Sequence, residues 1–111
     1  MRSIVVSMQN MLLSEAVART LAETGEFRVE QVLPGKTSDT FSLCRVMQAD
    51  ILLMEVSRLP AYTLENRLNL IACVRKVMPS CKFVLLCDEN VDPELAHRVM
   101  TVRQDRLIDA F

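Results

Sequence analysis

Two short apolar runs without polar alternation constrain the fold of this chain more than any other feature. One runs from Ile51 to Val56 and is broken only by Glu55, and the other runs from Phe83 to Cys87. A strand with one face in water alternates apolar and polar residues, whereas a strand covered on both faces of a parallel sheet is apolar throughout. The two runs therefore predict buried strands of a parallel sheet, the first of them central.

Segments of strand and helix character alternate along the rest of the chain. Two further strands are predicted at Ile4–Val6 and Phe27–Val32, and Leu107–Phe111 resembles the start of a fifth. Apolar residues recur at helical spacing in four intervening segments, which begin near Leu12, Phe41, Leu64 and Asp92. Because parallel strands need right-handed helical crossovers, this order predicts a three-layer α/β/α sandwich.

Turn and cap residues mark the ends of these helices. The first is predicted to start after Asn10, with the stripe Leu12, Ala16, Val17 and Leu21, and to stop at Gly25. Pro34–Gly35 predicts a turn, and Thr37 or Ser38 can cap the second helix. Thr63 can cap the third, which ends before Pro79, and Asp92 followed by Pro93 predicts the start of the fourth.

Composition limits the classes of function. The 111 residues suffice for one domain, and 13 basic against 14 acidic side chains provide no basic surface for nucleic acid. The longest apolar runs fall far short of the roughly 20 residues of a membrane helix, and no signal peptide is recognisable, which favours the cytoplasm. The four cysteines form no CxxC pair, so we expect reduced, mostly buried thiols, no metal and no cofactor.

Four carboxylates near the predicted strand ends, those of Asp50, Glu55, Asp88 and Glu89, are candidates for a site. Open parallel sheets bind ligands at the carboxyl ends of their strands, and Glu55 lies close to the end of the central strand. Glu55 is therefore the best candidate. A polar residue that enters a loop and points to water would give the same pattern, and the spacing does not decide between the two.

The residues Asp50–Val56 followed by Pro60, Pro79 ahead of Lys82–Leu86, Asp92–Leu95 and Asp109–Phe111 resemble the receiver domain of bacterial two-component response regulators. The resemblance extends over nearly the whole chain, residues 1–111. It implies a doubly wound, flavodoxin-like parallel sheet with strand order 2-1-3-4-5, in which the last strand and its helix are cut short at the carboxyl terminus.

The positions that carry phosphorylation in this family differ here. The acidic pair that holds Mg²⁺ falls on Met8 and Gln9, the phosphoaccepting aspartate falls on Glu55, and the hydroxyl residue that contacts the phosphoryl group falls on Cys87. A proline lies five residues beyond Glu55 instead of four. Without paired carboxylates, a hard cation loses most of its ligands. The resemblance thus implies a degenerate pocket without metal and without enzymatic activity.

We therefore expect a phosphorylation-independent receiver module that binds a protein partner or a second copy, with Asp92, His97 and Phe111 on the interaction surface. DNA would be contacted only through an output domain outside the sequence, as in a transcriptional regulator. One alternative is a phosphorylatable receiver that uses Glu55 with Asp50, Asp88 or Glu89. Another is a structural or dimerisation domain that exchanges its terminal strand.

Overall fold

The computed structural model of the chain describes residues 1–33 and 39–110. Strands and helices alternate through these residues, as the sequence pattern predicts. In order they are β1 (Arg2–Ser7), α1 (Met11–Glu23), β2 (Phe27–Gln31), α2 (Thr40–Met47), β3 (Ile51–Glu55), α3 (Leu64–Val77), β4 (Lys82–Leu86) and α4 (Pro93–Gln104).

The four strands form one parallel sheet in the order β2-β1-β3-β4. This arrangement confirms the predicted doubly wound α/β fold and places β3 in the interior of the sheet. Ala110 forms a single parallel bridge to Val84 on the other side of β4, where a fifth strand is expected. The amide of Leu85 donates to the Ala110 carbonyl at 3.0 Å, while Phe111 lies outside the described residues.

The two faces of the sheet are covered unequally. Alternate side chains of β1, β3 and β4, such as Val5, Leu52 and Phe83, are fully buried beneath α2, α3 and α4. On the opposite face α1 packs through Val17 and Leu21, mainly over β1 and β2. The side chains of β3 and β4 on that face are only partly buried, namely Ile51, Leu53, Val84 and Leu86.

Side-chain caps fix three helix starts where the sequence predicts them. The side chains of Asn10, Thr63 and Asp92 accept hydrogen bonds from backbone amides in the first turns of α1, α3 and α4. Gly25 follows α1 at φ +74°, a conformation that favours glycine, and confirms the predicted stop. Asp39 precedes α2, whereas the predicted turn at 34–35 and the caps Thr37 and Ser38 lie outside the described residues.

The predicted apolar stripe of α1 is wrong in part. Leu12 and Ala16 are exposed, Leu12 by 82%, and the residues that α1 buries are the small Ser14 and Ala18. Ser14 reaches the sheet without an orphaned hydroxyl because its Oγ donates to Oε1 of Gln31 at 2.9 Å. Two small buried residues suit a close approach of the helix to the sheet, which the apolar spacing alone did not indicate.

Candidate functional site

A cleft of about 350 Å³ opens at the carboxyl ends of the strands. It lies between the loop after β1, the loop after β3 and the loop that leads into α4. Parallel sheets place ligand sites at this edge, because the loops that follow neighbouring strands converge there. The polar residues that line the cleft are Gln9, Asn10, Glu55, Ser57, Arg58, Cys87, Asp88 and Asp92, and the apolar ones are Leu13, Val56, Val91 and Leu95.

The Glu55 carboxylate is hydrogen-bonded to the backbone of the loop after β1. Its Oε1 accepts hydrogen bonds from the amide of Gln9 at 2.7 Å and from the amide of Asn10 at 3.3 Å. Asn10 in turn caps α1 through its own side chain. The last residue of β3 therefore holds the loop between β1 and α1, and one carboxylate oxygen is already engaged inside the molecule.

Three of the four predicted pocket residues meet in this cleft, and one does not. Gln9, Glu55 and Cys87 line it, whereas the Met8 side chain is 1% exposed and packs with Ile4 and Val6 beneath α1. Burial raises the pKa of the Cys87 thiol, and the nearby carboxylates raise it further. The thiol is therefore protonated near neutral pH and offers only a weak hydrogen-bond donor.

Arg67 does not line the cleft but is bonded to Glu55, which does, and it was not among the residues predicted from the sequence. Its side chain is 1% exposed although it carries a guanidinium. Nε donates to the Glu55 carbonyl at 2.9 Å, Nη1 to Oγ of Ser7 at 3.0 Å and Nη2 to the Ser7 carbonyl at 2.9 Å. The ring of Tyr62 lies 4.9 Å from the guanidinium carbon. Arg67 thus ties α3 to the ends of β1 and β3.

Burial lowers the pKa of Arg67 to about 10, and the Glu55 charge opposes that shift. The acceptors of its three hydrogen bonds are neutral, and Tyr62 and then the Glu55 charge oppose the lowering of its pKa. One sequence signal could have revealed this residue. Arg67 lies at helical spacing with Leu64, Ile71 and Val74, on the stripe that α3 buries.

An ion pair crosses the mouth of the cleft. Nε of Arg58 donates to Oδ2 of Asp92 at 2.7 Å and Nη2 donates to Oδ1 at 3.1 Å, a bidentate arrangement. Oδ1 of Asp92 also accepts a hydrogen bond from the amide of Leu95, so the Asp92 side chain caps α4. The hydrogen bonds from Arg58 and then from Leu95 lower the pKa of Asp92 to about 2.

Of the three remaining predicted carboxylates, Asp88 lines the cleft with Glu55, whereas Asp50 and Glu89 lie elsewhere. Asp50 precedes β3 at the amino edge of the sheet, where its Oδ2 accepts the amide of Ser3 at 2.8 Å. Asp88 lines the cleft, but its Oδ1 accepts the amide of Asn90, and Glu89 is exposed on a separate depression. Within residues 1–33 and 39–110, no three His, Cys, Asp or Glu side chains are grouped to hold a metal.

The residues predicted for an interaction surface occupy two places. Asp92 lines the cleft, whereas His97 is exposed on α4 beside Pro93 and Met100. Phe111 lies outside the described part of the chain. In that part, no helix is both long and apolar enough to cross a bilayer.

Comparison with solved structures agrees with this architecture. A crystal structure of a response regulator receiver protein from Pseudomonas putida matches with a TM-score of 0.65 and 16% sequence identity, over 99% of this chain and 83% of that chain. A two-component response regulator of the LuxR family from Aurantimonas sp. SI85-9A1 matches with a TM-score of 0.61 and 11% identity, over 98% and 88%. No protein-family model and no curated protein matches the sequence. The chain therefore has the fold of a receiver domain.

Proposed function

We propose that this chain is a signalling module of receiver fold that works through protein contacts and is not itself phosphorylated. The observation that carries the proposal is the engagement of Glu55 by the amides of Gln9 and Asn10. The carboxylate at the expected acceptor position is thus used to hold the loop between β1 and α1. The Glu55 side chain thus holds two of the loops that form the cleft together.

The chemistry of the cleft supports the same conclusion. Mg²⁺ takes oxygen ligands, usually carboxylates and water, and phosphoryl transfer depends on such a cation to neutralise developing charge. At the two positions where the resemblance places the metal-binding acidic pair, this chain has the buried thioether of Met8 and the side-chain amide of Gln9. The thiol of Cys87 replaces a hydroxyl with a poorer donor. The phosphate-accepting residue, the cation site and the residue that donates a hydrogen bond to the phosphoryl group are therefore all altered.

In this proposal the module is non-enzymatic and cytoplasmic. It binds a protein partner or a second copy of itself, and DNA is reached only through a separate output domain. The exposed residues of α4 around His97 and Met100 are available for such contacts, since they line a surface depression away from the cleft. A phosphorylatable receiver that uses Glu55 remains the competing function, and one experiment separates the two.

The experiment measures the thermal midpoint of the chain with and without Mg²⁺ and beryllofluoride, which mimics an aspartyl phosphate. A ligand that binds only the native state raises this midpoint. We expect no shift, while a receiver domain with intact acidic pair and aspartate, used as positive control, is stabilised under the same conditions. A saturable shift would refute the proposal and would mean that the cleft still binds a phosphoryl group with its cation.

Two substitutions at Glu55 test the observation behind the proposal. Glu55→Gln keeps an oxygen that can accept the two amides, whereas Glu55→Ala removes both hydrogen bonds. We expect the alanine variant to lose about 1–2 kcal/mol more in urea denaturation than the glutamine variant, in line with one or two hydrogen bonds. Equal stability of the two variants would contradict a structural role for this carboxylate.

A further inference from the structure

We propose that the Arg58–Asp92 pair is a salt-sensitive strap that couples opening of the cleft to loosening of the first turn of α4. The pair joins two elements that meet only through loops at this edge, the connection after β3 and the start of α4. Both residues line the cleft, so the strap closes its mouth. This proposal concerns how α4 is held, and it stands whether or not the cleft accepts a phosphoryl group.

The Arg58 end of the strap is anchored in a compact loop. The amide of Ser57 donates to the Tyr62 carbonyl at 2.9 Å, and the amide of Tyr62 donates to the Leu59 carbonyl at 3.1 Å. The Tyr62 ring also lies against the buried Arg67 guanidinium. The loop that presents Arg58 is therefore held by its own hydrogen bonds and by the contact of Tyr62 with the buried Arg67.

The Asp92 end is anchored in the helix start. Its carboxylate accepts the Leu95 amide at 3.1 Å, and its carbonyl accepts the Ala96 amide at 3.0 Å. One carboxylate thus caps α4 and holds Arg58 at the same time. When Arg58 leaves, Asp92 regains rotational freedom, and the cap on the first turn weakens.

The pair can respond to its surroundings because it is only partly shielded. The Arg58 side chain is 54% exposed and that of Asp92 is 25% exposed. Exposed pairs contribute little individually and are screened by salt, although bidentate geometry places this one among the stronger examples. Buried side chains also hold α4, namely Leu95 in the first turn and Val99 and Val102 further along, and salt does not weaken these apolar contacts. We therefore expect the loosening to affect the hydrogen bonds of the first turn, where Asp92 is the cap, and not the packing of the helix.

A second ion pair lies further along α4, six residues beyond Asp92. Arg98 donates to Glu65 in the first turn of α3, so this pair joins α4 to α3 and not to the loop that carries Arg58. Substitution of Arg98 removes this pair without changing either residue of the strap. It therefore provides a comparison that separates the strap from a general electrostatic contribution to the packing of α4.

Amide hydrogen exchange tests the proposal. In Arg58→Gln at low salt, we expect the Leu95 and Ala96 amides to exchange about threefold to fivefold faster than in the wild type, the range expected for one good exposed pair. We expect the exchange rates of the Val99 and Val102 amides to stay unchanged. Adding salt accelerates Leu95 and Ala96 in the wild type but no longer in the variant.

Two control variants carry neutral substitutions elsewhere on α4. Arg103 is exposed and has no ion-pair partner among the described residues, so Arg103→Gln should leave Leu95 and Ala96 unchanged. Arg98→Gln should also spare these two amides. Unchanged exchange at Leu95 and Ala96 in Arg58→Gln would overturn the proposal. Equal acceleration along the whole helix, or the same effect in either control, would overturn it as well.

Discussion

Replacement of Arg67 tests how the ends of β1 and β3 beside the cleft are held together. Each of its three hydrogen bonds carries charge on the donor and contributes about 1.5–3 kcal/mol. Burial lowers the pKa of Arg67 to about 10, so it opposes the charged form of the guanidinium. At 1.36 kcal/mol per pKa unit, the cost of keeping this charge in the folded state is about 3 kcal/mol. The bonds outweigh this penalty, so Arg67→Met, which keeps most of the volume, should lower the free energy of unfolding by about 3 kcal/mol.

The assay is urea denaturation of the wild type, Arg67→Met and a control on the same helix, Lys76→Met. Lys76 is exposed and has no hydrogen-bond or ion-pair partner in the described ranges. We expect the control to stay within about 0.5 kcal/mol of the wild type, as surface substitutions usually do. If Arg67→Met is as stable as the control, the guanidinium does not hold Ser7 and Glu55 in place, and the reasoning fails.

Two further predictions follow from pKa values. Because Arg58 depresses the pKa of Asp92 to about 2 in the folded state, the pair stabilises the fold fully above about pH 4, the unfolded value, and this contribution disappears as the pH falls toward 2. The difference in thermal midpoint between wild type and Arg58→Gln should shrink over that window, and a constant difference would contradict the assignment. Burial raises the pKa of Cys44 to about 12 and that of Cys81 to about 11. At pH 8 the exposed Cys73 should therefore react with a thiol reagent well before these two buried cysteines. Cys44 and Cys81 should react only after the chain unfolds.

The sequence was sufficient for the fold because local signals agreed with one another. Continuous apolar runs identified β3 and β4, and cap residues such as Thr63 and Asp92 located helix starts to the residue. It was also sufficient to place Glu55 at the carboxyl edge, since a strand end in a parallel sheet can lie nowhere else. Asp50 shows the limit of that argument. It precedes the same strand and therefore lies at the opposite, amino edge of the sheet.

The contacts within the cleft were not predictable from spacing. The Arg67 hydrogen bonds to Ser7 join residues 60 positions apart in the sequence, and the Arg58–Asp92 pair spans 34. Such contacts depend on how loops of different length come together in space, which periodicity does not encode. Met8 illustrates the same point, because its side chain turns into the core rather than toward the cleft beside its neighbour Gln9.

The unequal covering of the sheet has a consequence for the heat capacity of unfolding. This quantity rises with the apolar area that water gains when the chain unfolds, at about 0.45 cal/K/mol for each Å². Ile51, Leu53, Val84 and Leu86 already contact solvent in part, so unfolding newly hydrates less of them than of the fully buried opposite face. Calorimetry should therefore give less than about 1.3 kcal/mol/K, the lower end expected for a chain of this length. A small heat capacity change flattens the dependence of stability on temperature, so this chain should resist cold as well as moderate warming.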